Sequence, residues 1–144
     1  MDTVKEICFW VVIGEIISFI AWLMDVPMTY NDMKFLLPIC ATLFSFNFAA
    51  CSSCSNALLK FKESHQDADI SLVVQEMKES IIAMIVGIVI VLFSLFALNI
   101  LEKPTNCYLI ALKVGINGLI FSVFVMYIHL IYDIAVTFFD LIKN

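Results

Sequence analysis

The chain has 144 residues, 62% of them hydrophobic and 15% charged, with a mean hydropathy of +1.01. Soluble domains carry about 25% charged residues, and a chain this short has too much surface for its volume to hide the apolar surplus, so lipid must solvate much of it. The net charge of −5 argues against nucleic acid, which needs basic patches. All eight basic residues are lysine, a bias that points to an AT-rich bacterial gene.

A membrane-crossing helix needs about 20 mostly apolar residues. Four runs meet this, at about 7–24, 35–59, 80–101 and 107–130. The expected fold class is therefore all-α: a polytopic membrane protein with four transmembrane helices in one domain spanning 1–144. The first run holds a single charge, Glu15. At that depth an acid costs about 2–3 kcal/mol or more on insertion scales, so it is a functional-site candidate by default. Asp25-Val26-Pro27 closes the run, because proline disfavours helix at the residue before it. With no small-residue cleavage site after it, the run reads as a span and not as a cleaved leader.

The second run has Pro38 in its first turn or two, where a lost hydrogen bond matters least. Beyond it lie two marked faces. Thr42, Ser45, Ala49, Ser52, Ser53 and Asn56 form a small, polar stripe, and Cys40, Phe44, Asn47, Cys51, Cys54 and Leu58 form a seam on roughly the opposite side. Lipid gives no hydrophobic drive for helix pairing, so such faces mark helix contacts. Two of them predict a central place for this helix, in the fold or in an oligomer. Cys51-Ser-Ser-Cys54 has the CxxC spacing of redox motifs. In outline it resembles the four-helix quinone-linked thiol oxidases of the bacterial inner membrane, which carry a CxxC at the outer end of helix two and a second cysteine pair in an outer loop. Here the CxxC lies towards the cytoplasmic end and Cys107 alone is near the outer surface, so the two thiols read as packing residues. With four of the five cysteines in apolar segments, no disulfide framework is expected.

Residues 60–79 form the one substantial polar segment. Within it Ile70, Val73, Val74, Met77 and Ile81 recur at helical spacing, which predicts an amphipathic helix over 69–81 that runs into the third span, with Asp67 or Asp69 as N-cap. His65, Asp67 and Asp69 read as a solvated loop. The third span has Ala83, Gly87 and Ser94 as its interior markers and otherwise suits lipid. A tight polar turn, Glu102-Lys103-Pro104-Thr105-Asn106, leads to the last helix, which has no proline from 107 to 143. That helix would be about 55 Å long, against a hydrocarbon core of about 30 Å, so helices three and four are expected to extend together into the cytoplasm. Lysines set the orientation: Lys5, Lys60, Lys62, Lys78 and Lys143 lie on one side and Lys34, Lys103 and Lys113 on the other. The bias places both termini in the cytoplasm, in a bacterial inner membrane.

Two groups of polar residues stand out. Counted from the outer helix ends, Glu15 and Asn117 lie roughly 15 Å deep, Asn47 slightly deeper and Lys113 roughly 9 Å in, which predicts one intramembrane polar layer of Glu15, Asn47, Lys113 and Asn117. It reads equally as a proton or ion site and as a hydrogen-bonded clamp between helices. On the fourth span, Ala111, Gly115, Gly118 and Ser122 form a small-residue stripe for helix packing or oligomerisation, continued by His129, Asp133 and Asp140 as a polar face for a cytosolic partner. His129 and Asp133 are one turn apart, but two ligands do not make a zinc site. No nucleophile–base pair, metal cluster or phosphate loop is visible, so neither an enzyme nor a cofactor is expected.

Gly14-Glu15-Ile16-Ile17-Ser18, on the first of four helices, resembles the small multidrug-resistance transporters. That resemblance implies a dimer exchanging protons for cations through Glu15. The whole outline is similar to the small four-helix membrane subunits of bacterial anti-phage defence, such as that of the Kiwa system, in architecture and not in motif. This second resemblance implies a homo-oligomeric sensor, scaffold or pore-forming subunit that engages a cytosolic protein.

Overall fold

The computed structural model describes residues 3–26, 28–64, 70–101 and 106–143. All regular structure among them is helical: α1 (Thr3–Leu23), α2 (Tyr30–Met33), α3 (Leu36–Ser64), α4 (Ser71–Ile100) and α5 (Cys107–Lys143). Three stretches are long and apolar enough to cross a membrane: Tyr30–Lys60, Val73–Ile100 and Cys107–Val136. The apolar part of α1, Ile7–Leu23, is shorter, about 25 Å of helix.

α1 stops for a backbone reason ahead of the proline. Asp25 has φ 55°, its N–H donates to the Trp22 carbonyl at 3.2 Å, and the Val26 N–H donates to the Ala21 carbonyl at 3.0 Å. A left-handed residue with this pair of bonds is a Schellman motif. Pro27 lies outside the described residues, as do 102–105 of the predicted polar turn. α2 is a single turn that hydropathy does not foreshadow. The Thr29 N–H and hydroxyl both donate to the Asp32 carboxylate, at 2.9 and 2.5 Å, and fix its start. The turn drives Met33 into the core cluster that also holds Cys40 and Leu98.

α5 is the hub. It packs against α1, α3 and α4, whereas α1 packs almost entirely on α5. The main core lies along it, where Ile120, Val123 and Tyr127 meet Met84, Val91, Leu95 and Leu98 of α4 and Cys40 of α3. Of the two central places expected for the second run, the one within the fold is corrected here, and the one within an oligomer is untouched by a single chain. α3 buries its cysteine seam, at Cys40, Asn47, Cys51, Cys54 and Leu58, and leaves the Thr42–Asn56 stripe uncovered. α4 also buries one face and exposes large apolar side chains elsewhere, among them Ile85, Val89, Phe93 and Phe96.

The predicted amphipathic segment runs into the third apolar run without a break from Ser71 on, because α4 is one helix from Ser71 to Ile100 with Ile70 at its N-cap position. The predicted caps Asp67 and Asp69 lie outside the described residues, as does His65. α4 has 30 residues and α5 has 37, about 45 and 55 Å of helix. Their far ends are held by a second core in which Met77 and Ile134 pack with Cys51, Cys54 and Leu58, with Ile70, Val73 and Ile81 around it. The apolar face of residues 70–81 is thus turned to α3 and α5. All five cysteines are free thiols, and the CxxC pair is buried in this second core.

Candidate functional site

α1 and α5 meet where both are small. A Cβ at Gly14 would overlap the Gly118 carbonyl and both the backbone and the hydroxyl of Ser122, so only glycine permits this approach. Hydroxyls then bond across or along the seam. Ser18 Oγ donates to the Val114 carbonyl at 2.7 Å, and Ser122 Oγ donates to the Gly118 carbonyl at 2.8 Å, with the Val11 carbonyl at 3.4 Å. Gly14 and Ser18, four residues apart, carry the small-xxx-small signal of a close helix pair.

Glu15 projects from this seam. Its carboxyl group lies over Gly118, where a Cβ would come within 2.5–2.6 Å of three carboxyl atoms. Glu15 is half-buried and forms no hydrogen bond or ion pair with the described residues. The predicted oligomer stripe therefore divides. Gly118 and Ser122 are buried against α1 and serve the fold, while Ala111 is exposed and a Cβ at Gly115 would meet nothing within 4 Å.

The four residues of the predicted polar layer form no hydrogen bonds with one another, and they occupy three places. Glu15 is in the α1–α5 seam. Asn47 is 1% exposed between α3 and α4, where its Nδ2 donates to Ser80 Oγ at 3.1 Å and lies 2.7 Å from Met84 Sδ; its Oδ1 is 3.9 Å from Cys51 Sγ. Lys113 and Asn117 line a separate cavity of about 350 Å3 between the C-terminal end of α1 and the N-terminal part of α5. Equal depth along a helix fixes height but not direction, and these side chains leave their helices in different directions.

Of the predicted partner face, His129 Nε2 lies 3.1 Å from Asp133 Oδ2, and its ring packs against Trp10 with centroids 4.7 Å apart. His129 thus ties α5 to α1 as well as to its own next turn. The side chain of Asp140 lies outside the described residues. No group of three or more His, Cys, Asp or Glu converges on one point among the described residues.

An apolar cleft of about 760 Å3 lies between α1 and α4, floored by α5. Trp10, Ala83, Val86, Val123 and Met126 line it, and Glu76, Glu79 and Asp133 belong to its wall nearer the helix ends. No family model, curated protein or solved structure matches the chain. What its sites can do is therefore read from its own residues. Trp10, Ser18, Ser80 and Tyr127 join the residues singled out from the sequence. The Tyr127 hydroxyl donates to the Met84 carbonyl, and its ring fills the space left by Gly87.

Proposed function

We propose that the chain is a four-span membrane subunit that assembles with copies of itself in the bacterial inner membrane and holds a cytosolic protein on a protruding stem. One observation carries this reading: the uncovered face of α3. Thr42, Ser45, Ala49, Ser52, Ser53 and Asn56 are all exposed, although the helix behind them is apolar and its other face is buried in the fold. In hydrocarbon such a face has its best partner in another helix, because small residues allow close approach and hydroxyls and amides bond across the contact.

In this reading α1 is the fourth span, and the lysine bias keeps both termini inside. α4 and α5 then reach past the lipid as a pair, and His129, Asp133 and Asp140 face the partner. The subunit gates permeability or anchors an effector, as the resemblance to anti-phage defence subunits implies. The test is a photo-crosslinking amino acid placed in the membrane-embedded protein at position 45, 52 or 93. Covalent dimers are expected from Ser45 and Ser52 and not from the α4 position Phe93. A chain that stays monomeric from all three sites would refute the assembly.

A second reading, a proton-coupled transporter, draws on the Glu15 carboxyl, which has no bonding partner among the described residues. An intramembrane acid of this kind is a place for a proton to bind and leave. A Glu15→Gln protein that kept full, pH-dependent transport would exclude it.

A further inference from the structure

We infer that the cleft between α1 and α4 binds a long-chain primary amine from the membrane, with its ammonium at Glu76 and Glu79, facing Asp133, and its alkyl chain laid along the apolar walls. The cleft measures about 760 Å3, within the range of about 300–1,000 Å3 for small-molecule sites. Among the described residues that line it, the charged ones are these three acids, and none is a base. The acids stand at one level, because Met77 of α4 packs with Ile134 of α5 in the second core. Glu76 and Glu79 are exposed, and Glu79 accepts a bond from the neutral Gln75 amide at 2.8 Å. Asp133 lies 3.1 Å from His129.

The lysines at this end of the helices point elsewhere. At about 100° per residue, Lys78 leaves α4 about 100° or more round from Glu76, Glu79 and Ala83. Lys5 leaves α1 by at least as much from Ile7, Trp10 and Val11, which form the α1 wall. The mouth of the cleft is thus acidic on the face that an occupant meets.

Beyond the acids the walls are apolar, and they run in one direction. Ala83, Val86 and Ile90 follow Glu79 along α4, while Leu130, Met126 and Leu119 run the same way back along α5 from Asp133. Ile90 is eleven residues past Glu79, about 16 Å of helix. A chain attached to a head at the acids therefore has a path that starts there and leads into the apolar part of the fold.

The head group decides what is held, because a chain that exchanges lipid for an apolar helix face gains little. A phospholipid chain in this cleft would bring its phosphate up to Glu76 and Glu79, where like charges repel, with no base in the described lining to offset them. A primary ammonium is attracted instead, and it carries three donors for carboxyl acceptors. The inference goes beyond assembly: it rests on α4 and α5 crossing the membrane, and neither on contact through α3 nor on Glu15, which does not line this cleft.

The test uses the full-length protein in phosphatidylcholine nanodiscs and a hexadecylamine carrying a photoreactive diazirine at mid-chain. Saturable labelling is expected within residues 83–90 of α4 and 119–130 of α5. Unlabelled hexadecylamine should displace it, while hexadecanol, palmitoyl lysophosphatidylcholine and tetraphenylphosphonium should each compete at least about fivefold more weakly. The double variant Glu76→Gln, Glu79→Gln should bind the amine about fivefold more weakly. Ala83→Phe, which fills the open cleft, should abolish labelling, and Ile85→Phe, on another face of α4, should not. Equal competition by hexadecanol overturns the proposal on the wild-type protein, because the acids would then not be read. Equal competition by tetraphenylphosphonium or the lysolipid overturns it too, making this a site for any hydrophobic cation or any single chain. Absence of saturable labelling would leave the cleft to bulk lipid or to another helix, and the proposal would fall. Failure of the membrane reading would show separately, as protein extracted by alkaline carbonate.

Discussion

Gly14 of α1 lies against the backbone carbonyl of Gly118 on α5, so the two helices touch main chain to main chain. The Ser122 hydroxyl could rotate away from a methyl group at position 14, but the Gly118 carbonyl oxygen and the Ser122 nitrogen are main chain and cannot swing aside. Gly14→Ala should therefore prise α1 from α5, at a cost of about 1–3 kcal/mol, the range for overpacking a close contact. Gly115→Ala, facing open space, should be neutral or stabilising by up to about 1 kcal/mol through helix propensity. Reversible unfolding in mixed micelles measures both, and equal effects would contradict the seam.

Gly118→Ala makes a different kind of demand. The obstacle at that position is the Glu15 carboxyl group, the far end of a flexible side chain. Stability should change by less than about 0.5 kcal/mol, while the carboxyl group is pushed off its resting place. Labelling of Glu15 by an apolar carbodiimide reports this: its rate should change several-fold in Gly118→Ala and stay constant in Gly115→Ala. An unchanged rate would mean that Gly118 does not position the acid.

Asn47 and Ser80 offer a measurable polar link between α3 and α4. Asn47→Leu leaves the buried Ser80 hydroxyl without this partner, and the single change should cost about 1–3 kcal/mol. Combined with Ser80→Ala, a double-mutant cycle should return a coupling of about 0.6 kcal/mol, the average for such bonds within membranes. Additive effects would show that the two side chains do not depend on each other.

Asp25 holds a left-handed backbone conformation at the end of α1. Asp tolerates this better than most residues and glycine best of all. Asp25→Gly should match or exceed the wild type in stability, and Asp25→Ala should fall about 1 kcal/mol below it. The reverse order would place the helix stop elsewhere.

The long apolar helices α3, α4 and α5 were legible because hydropathy is a property of a segment, and so was the continuity of 70–81 into α4, because its apolar positions kept helical spacing across the boundary. The buried seam of α3, from Cys40 to Leu58, was legible for the same reason. Which helix each face would meet was not. Periodicity shows that Asn47 and Gly118 face something, and not that Asn47 meets Ser80 or that Gly118 meets Glu15. A count of depth placed Glu15, Asn47 and Asn117 at similar heights but carried no azimuth, so one layer was expected where the fold has three separate places. α2 is too short to show a period, and Trp10 against His129 joins opposite ends of the chain with no local pattern to announce it.

Orientation can be read from the native cysteines. Cys107 is exposed at the start of α5, Cys8 is exposed near the start of α1, and Cys40, Cys51 and Cys54 are buried. If both termini are cytoplasmic, Cys107 stands at the outer surface and Cys8 at the inner one. A membrane-impermeant maleimide added to intact cells should then label Cys107 alone, and Cys8 should react after permeabilisation. The three buried thiols should react only on unfolding, because closely packed helices exclude the reagent. Labelling of Cys8 from outside, with Cys107 protected, would invert the protein in the membrane. The stem formed by the ends of α4 and α5 would then face away from the cytosol, and the proposed docking of a cytosolic partner would fall with it.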